Sequence, residues 1–324
     1  MSKKNIFVTR RIPQPGLDML KEFDMTMNPE DRVLTKDELI AGSKGRDGVL
    51  CLLTDPITAE IMDALPTVKI FANYAVGFNN IDVEAATKRK VAITNTPGVL
   101  TDTTADFAWT LLMAAGRRLV EADKLCRAGK FKGWGPMMLL GHDIHHKTLG
   151  IVGMGRIGQA VAQRARGFEM KVLYTDEVRL APERERELNA TFTSLDQLLK
   201  ESDFVSLHVP LMPSTRHLIS KKQLGMMKPT AVLVNTSRGP VVDEKALVDA
   251  LGNRVIFGAG LDVYEAEPAL APGLADLDNV IIPPHIASAT TDTRTKMATM
   301  AGGNLVAFFK GERPPNIVNP EVLG

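Results

Sequence analysis

Gly153-Met154-Gly155-Arg156-Ile157-Gly158 stands between an apolar run, Leu149–Val152, and a helical pattern that reaches about Arg166. A GxGxxG spacing alone is weak evidence, but a strand before it and a helix after it change its meaning. Gly153 permits the tight turn, Gly155 lets backbone approach a pyrophosphate, and Gly158 lets the helix pack on the sheet. The unpaired N–H groups at the helix N-terminus then face the phosphates. Asp176, 18 positions past Gly158, closes the next apolar run, Lys171–Thr175. There its carboxylate can accept both ribose hydroxyls of an adenosine. The stretch therefore predicts a strand-helix-strand unit that binds a dinucleotide. An acid at that place repels a 2′-phosphate and favours NAD over NADP. Arg179, three residues on, weakens that preference if its loop folds back.

Working outward, further apolar runs lie at Phe204–Leu207, Ala231–Val234, Ile256–Ala259 and Val280–Ile282. Six such strands separated by helical patterns predict a doubly wound parallel sheet covered on both faces. The first half repeats the rhythm. Strands are expected at Ile6–Thr9, Gly48–Leu53, Val68–Ala72 and Val91–Thr94, and helices at Gly16–Phe23, Lys36–Ala41, Ala59–Leu65 and Val83–Lys88. The chain pauses at Asn95-Thr96-Pro97-Gly98. One long helix is then expected from about Asp102 to Arg127, with threonines at 101, 103 and 104 as cap oxygens and Gly129 as its stop. Its apolar content is too broad for one buried stripe and predicts packing on two sides. Phe131 to Lys147 reads as an extended apolar arm, and exposed apolar loops of that kind are more often interfaces than ornaments. The run Glu183-Arg184-Glu185-Arg186-Glu187 reads as a solvated helix face without function. A last helix is expected at about Asp292–Phe309.

Composition excludes several classes. With 324 residues, two domains are the prior, and 44% hydrophobic with 24% charged residues is ordinary for globular chains. A net charge of +1 gives no global field toward nucleic acid or an anionic membrane. No run approaches the ~18 apolar residues that span a bilayer. The apolar stretch Ile6-Phe7-Val8 is too short for a secretory signal, and two cysteines, Cys51 and Cys126, make no disulfide framework or zinc spacing. A cytoplasmic protein is expected. His142, His145 and His146 lack a carboxylate or cysteine partner at ligand spacing, so a surface loop is expected there and no metal.

In open α/β sheets, ligands lie beyond the carboxyl ends of the strands. His208, Val209 and Pro210 follow the run at 204–207 and suit the wall of an adenine pocket. Asn235-Thr236-Ser237-Arg238-Gly239 follows the next, Gly260-Leu261-Asp262-Val263-Tyr264-Glu265-Ala266-Glu267-Pro268 the one after, and Pro283-Pro284-His285 the last. An arginine, several acids and a histidine thus gather on the edge that carries the dinucleotide. The set suits reduction of a 2-oxo acid. Arg238 offers a planar fork for carboxylate and keto oxygen. His285 is the natural general acid, because a histidine ordinarily titrates near working pH. A carboxylate beside it would favour imidazolium and fix its orientation, a part open to Glu267 and equally to Glu265. Asp262 is suited to accept from a nicotinamide carboxamide.

These residues resemble the D-isomer-specific 2-hydroxyacid dehydrogenase family from end to end. The pieces that carry the likeness are Asn95-Thr96-Pro97-Gly98-Val99-Leu100-Thr101-Asp102-Thr103-Thr104-Ala105-Asp106, the glycine loop, Asn235–Gly239, Gly260–Val263 and Pro284-His285. The run Thr101–Asp106, with Lys132-Gly133-Trp134-Gly135-Pro136 after it, is most similar to the glyoxylate/hydroxypyruvate reductase branch. The resemblance implies Arg238, Glu267 and His285 as the catalytic trio, which chooses Glu267 over Glu265. It implies that the N–H groups of Val76 and Gly77 help hold the substrate carboxylate and that Leu53 lines the pocket. Thr104, Arg156, Ile157, Asp176, Thr236 and Asp262 would contact the dinucleotide, beside Gly153, Gly155, Gly158, His208 and Pro210, which their places in the chain already suggest.

The implied fold is α/β, with two doubly wound parallel-sheet domains and a cleft between them. A flavodoxin-like substrate domain takes 1–98 plus 289–324, and a Rossmann NAD-binding domain takes 99–288, hinged near Pro97 and Ser288. Helix and arm over 102–147 would clasp a second copy in a homodimer. Ala266 stands where the family often has proline and Ala287 where it often has glycine, and neither change removes a reacting group. The expected activity is NADH-dependent reduction of glyoxylate and hydroxypyruvate. Alternatives are a longer substrate such as 2-ketogluconate, or a nucleotide-sensing module like the corepressors of this fold, which keep the same trio.

Overall fold

The sequence alternation becomes two all-parallel sheets. The structure, a computed structural model, describes residues 3–324. The chain divides into two units, one comprising the chain up to Leu100 with Ala289–Gly324, the other Thr101–Ser288.

In the first unit β1 (Asn5–Val8), β2 (Asp24–Met27), β3 (Gly48–Leu52), β4 (Ile70–Tyr74) and β5 (Ala92–Thr94) pair in the order β2-β1-β3-β4-β5. This is the flavodoxin-type order. Between them run α1 (Gln14–Met19), α2 (Lys36–Ser43), α3 (Ala59–Ala64) and α4 (Val83–Lys88). Thr58 and Asp82 start α3 and α4 by accepting from Ile61 and Ala85 N–H groups. The edge strand β2 is absent from the sequence reading because Asp24-Met25-Thr26-Met27 is half exposed and offers no apolar run. The expected strand Val68–Ala72 lies two residues further on, since β4 continues into Asn73, which is polar yet wholly buried.

The second unit opens with α5 (Thr101–Gly116) and α6 (Leu119–Arg127), which correct the single helix expected over 102–127. The break has a local cause. Arg118 sits at φ +53°, its guanidinium paired to Glu121, and the Gly116 carbonyl accepts from His142 N–H rather than continuing the helical ladder. No residue of α6 is buried, whereas α5 packs Ala105, Ala108, Trp109 and Leu112 into the core. Trp109 stacks on Phe168 at 4.8 Å and donates its ring N–H to Val161.

Then follow β6 (Thr148–Val152), α7 (Arg156–Ala165), β7 (Lys171–Thr175), α8 (Pro182–Leu188), β8 (Ala190–Phe192), α9 (Leu195–Glu201), β9 (Phe204–Leu207), α10 (Lys221–Leu224), β10 (Val232–Asn235), α11 (Glu244–Gly252), β11 (Gly258–Leu261) and β12 (Val280–Ile281). The sheet order is β12-β11-β10-β9-β6-β7-β8. That makes seven strands among the described residues rather than the expected six, the short edge strand β8 being the addition. The order reverses between β6 and β9, the switch point at which ligands bind. The run expected at Ile256–Ala259 is displaced to β11, whose glycines conceal a strand from a propensity reading. Gly260 is required there, because a Cβ would stand 2.8 Å from Leu111 Cβ of α5.

The chain then re-enters the first unit as α12 (Thr291–Phe309). Met297, Ala298, Ala301 and Leu305 pack over Ile6, Leu50, Ile70 and Tyr74. Large apolar side chains buried in this way contribute about 1.5–3 kcal/mol each.

Candidate active site

The glycine loop leaves β6 at the switch point. Gly153 has φ +93°, and a Cβ on it would lie 2.7 Å from the carbonyl carbon of His208. A Cβ on Gly158 would lie 2.1 Å from the Gly153 oxygen, so the first turn of α7 packs directly on the loop. A Cβ on Gly155 would meet nothing within 4 Å, and no side chain caps α7. That combination leaves an open approach to uncapped N–H groups, as a pyrophosphate requires. Asp176 directly follows β7, and its Oδ2 accepts from Met154 N–H at 2.5 Å. The Thr236 hydroxyl is buried without a partner. These features fit a bound dinucleotide. Arg156 is exposed and Ile157 half-buried at the start of α7, and Thr104 is buried in the first turn of α5. His208 follows β9, bonded through Nε2 to Ser206 Oγ at 2.8 Å; burial pushes its pKa down to about 3, so the ring is neutral. Pro210 is exposed, and its carbonyl accepts from the Thr215 hydroxyl.

Three loops at the carboxyl ends of neighbouring strands carry Arg238, Glu267 and His285. After β10, the Asn235 side chain accepts from the Ser237 N–H and hydroxyl and donates to the Arg238 carbonyl. This turn presents the Arg238 guanidinium, whose Nη1 donates to the Ser237 carbonyl at 2.7 Å. Burial lowers the Arg238 pKa against the opposing charge of Glu267, yet a guanidinium stays protonated in proteins. Gly239 has no alternative, since a Cβ would stand 1.8 Å from the Tyr264 carbonyl carbon.

After β11, Glu267 Oε1 accepts from Tyr264 N–H at 3.0 Å, and Oε2 lies 2.9 Å from His285 Nδ1. Burial raises the Glu267 pKa. The hydrogen bond and charge of His285, the Tyr264 N–H and the charge of Arg238 outweigh it and hold the carboxyl below its ordinary range. An ionised carboxylate only accepts, so Nδ1 carries the hydrogen and Nε2 is left for another partner. Glu265 takes a different part. Its carboxylate meets His217 Nε2 at 2.6 Å and Arg216 at 3.2 Å.

Asp262 is fully buried, and its two oxygens accept from Ile286 N–H at 2.7 Å and Ala287 N–H at 2.8 Å. It thus fastens the loop that follows His285, a task its expected contact with a carboxamide did not suggest. Burial raises its pKa against those two N–H bonds. Tyr264, unremarked in the sequence, donates its hydroxyl to the Pro283 carbonyl at 2.5 Å. One residue therefore touches both the loop of Glu267 and the loop of His285.

In the first unit, Leu53 follows β3, and Val76 and Gly77 follow β4. Asn95 donates to the Val76 carbonyl and Asn73 to the Gly77 carbonyl, while Asn80 donates to Leu52 and Asp55. These asparagines orient the loops, and nothing in their spacing announced it. Among the described residues no three His, Cys, Asp or Glu gather where a metal ion could be held. His142 lies edge-on to Phe257, and His146 faces Glu169 at 3.5 Å. The same residues include no helix long and apolar enough to cross a membrane.

A family model described as D-isomer specific 2-hydroxyacid dehydrogenase, NAD binding domain, matches residues 109–287. The chain is 54% identical over 325 residues to the glyoxylate reductase of Korarchaeum cryptofilum (strain OPF8), covering 99% of this chain and 97% of that one. Among solved structures, a protein from Thermus thermophilus matches with a TM-score of 0.90 at 45% identity, over 97% of this chain and 99% of that one. The NADPH-dependent glyoxylate/hydroxypyruvate reductase of Sinorhizobium meliloti, in complex with NADP and malonate, matches with a TM-score of 0.88 at 32% identity, over 99% and 98%. A paired histidine and glutamate beside an arginine, a dinucleotide loop at the switch point and these full-length likenesses agree: the chain belongs to the D-isomer specific 2-hydroxyacid dehydrogenase family and carries its NAD-binding domain.

Proposed function

We propose that this chain reduces the small 2-oxo acids glyoxylate and hydroxypyruvate to glycolate and D-glycerate, with NADH. The observation that carries the reading is the 2.9 Å pair of His285 and Glu267, felt electrostatically by Arg238. A 2-oxo acid needs a cation for its carboxylate and a proton for the oxygen that becomes hydroxyl. Arg238 supplies the first as a planar fork. His285, steadied through Nδ1 by Glu267, delivers the second from Nε2. The reduced nicotinamide, when bound, supplies the hydride. The same reading gives the main-chain N–H groups of Val76 and Gly77 and the side chain of Leu53 to the substrate. It gives Thr104, Gly153, Gly155, Arg156, Ile157, Gly158, Asp176, His208, Pro210, Thr236 and Asp262 to the dinucleotide, and the exposed arm to a homodimer.

NADH is preferred in this reading because the Asp176 carboxylate repels a 2′-phosphate. The substrate class draws support from the glyoxylate reductase that shares more than half of its aligned residues with this chain. The test is loss of nicotinamide absorbance with NADH and NADPH in parallel, against glyoxylate, hydroxypyruvate, pyruvate and 2-ketogluconate. Rapid oxidation of NADH by the first two is expected, with His285→Ala losing turnover at intact NADH affinity. Unchanged turnover in that variant sinks the mechanism, and silence with both small acids sinks the substrate class.

A further inference from the structure

We propose that Glu185 is a cofactor-specificity residue, which withholds Arg179 from the 2′-phosphate of NADPH by holding it in a forked ion pair. The inference deepens the reading of Asp176 as the ribose-binding acid and rests on it. Arg179 lies three residues beyond Asp176, just after the turn in which Asp176 Oδ1 accepts from Val178 N–H at 3.3 Å. An arginine so placed is the side chain that would take a 2′-phosphate in a bidentate grip. Here the grip is already used. Its Nε donates to Glu185 Oε1 and its Nη2 to Oε2, each at 2.9 Å, and its guanidinium lies 5.7 Å from the ring centre of Phe192.

Glu185 corrects the expectation that its charge run is merely a solvated helix face. Its side chain is 12% exposed, against 76% for Glu183 and 62% for Glu187 on the same helix. The Tyr174 hydroxyl, on a wholly buried ring, donates to Glu185 Oε1 at 2.7 Å and accepts from Leu180 N–H at 2.9 Å. Arg179 and then Tyr174 hold the Glu185 carboxyl below its ordinary range, so it stays ionised. The neighbouring cation Arg184 is committed as well, to Gln159 at 2.8 Å and Glu187 at 2.6 Å. Preference for NADH then has two parts, one in the loop after β7 and one on α8. Asp176 repels the phosphate, and Glu185 withholds the arginine that would attract it.

The test compares binding of adenosine 5′-monophosphate and adenosine 2′,5′-bisphosphate by titration calorimetry, with kcat/KM for NADH and NADPH alongside. Glu185→Ala is expected to shift the affinity ratio toward the bisphosphate by about fivefold, the worth of an ion pair whose arginine side chain is 62% exposed. Glu185→Gln, which keeps a partner for Tyr174 and guards against a folding defect, should shift it less in the same sense. The double variant Glu185→Ala with Arg179→Leu should return to the native ratio, and Arg179→Leu alone should leave it unchanged. An unmoved ratio in both Glu185 variants, or a gain that survives loss of Arg179, overturns the proposal. Preference of the unmodified chain for the bisphosphate overturns instead the reading of Asp176, whatever the Glu185 variants do.

Discussion

His285 Nδ1 stands 2.9 Å from Glu267 Oε2 while the His285 backbone is held at φ +54°, a left-handed conformation that a β-carbon disfavours. The strain of such a residue is of the order of 1–3 kcal/mol and persists only where surrounding bonds over-determine it. Glu267→Gln keeps the shape of the pair and removes the charge. The carboxylate loses its charge only at low pH, so the acid limb that Glu267 contributes to the native reduction profile should be absent from the variant. The depressed folded-state pKa of Glu267 makes its stabilising effect complete above the ordinary carboxylate range, and lost only as pH falls through the depressed value. Rate against pH for both forms checks this, and superimposable profiles would refute it.

Asp262 is a prediction about position rather than charge. Replacing it by Ala leaves the Ile286 and Ala287 N–H groups unpartnered beside the loop of His285. An orphaned buried donor costs about 1–3 kcal/mol. Urea unfolding should show a loss of that order, with kcat falling more than KM rises. A destabilised variant with native kcat would mean that the pinned loop does not set the histidine.

The sheets were legible in the sequence because apolar runs such as Phe204–Leu207 are buried on both faces and read the same from either side. The edge strands β2 and β8 were not, since their outer residues, among them Asp24 and Thr191, face water and break the run. Arg238 and His285 were legible because their side chains carry a guanidinium and an imidazole, the glycine loop because its spacing between strand and helix is local, and Glu267 was separated from Glu265 only by the family resemblance. Asn95 and Tyr264 act on the carbonyls of Val76 and Pro283, each 19 residues away, and no local pattern records such a partner, whereas Asn235 and Asn73 brace turns only two to four residues on. The break between α5 and α6 was hidden for the same reason, because His142 lies 26 residues beyond the Gly116 carbonyl it caps.

Two glycines of one loop should separate folding from binding. Gly158→Ala places a methyl 2.1 Å from the Gly153 oxygen and forces the backbone to move, whereas Gly155→Ala meets no protein atom. Gly155→Ala should therefore melt within about 0.5 kcal/mol of the native chain but bind dinucleotide much more weakly. Gly158→Ala should lose about 1–3 kcal/mol of stability as well. Thermal melts with and without NADH distinguish the two, and equal stabilisation of Gly155→Ala and the native chain by NADH would show that no phosphate approaches Gly155.

Trp134 and Met137 are 83% and 78% exposed on an arm that also exposes Phe131 and Leu140. Water is a poor partner for so many large apolar side chains on one segment. If a second copy covers them, a two-fold axis buries each side chain twice, so a substitution weakens two equivalent contacts at once. A large apolar side chain contributes about 1.5–3 kcal/mol on burial, so Trp134→Lys should raise the dimer dissociation constant by roughly a hundredfold or more. The fold itself should be unaffected, because the indole packs against little of its own chain. Sedimentation equilibrium of both forms measures the effect. A native chain that stays monomeric across the micromolar range would assign the arm to a different partner, whereas dissociation confined to the variant would place the arm in the subunit interface.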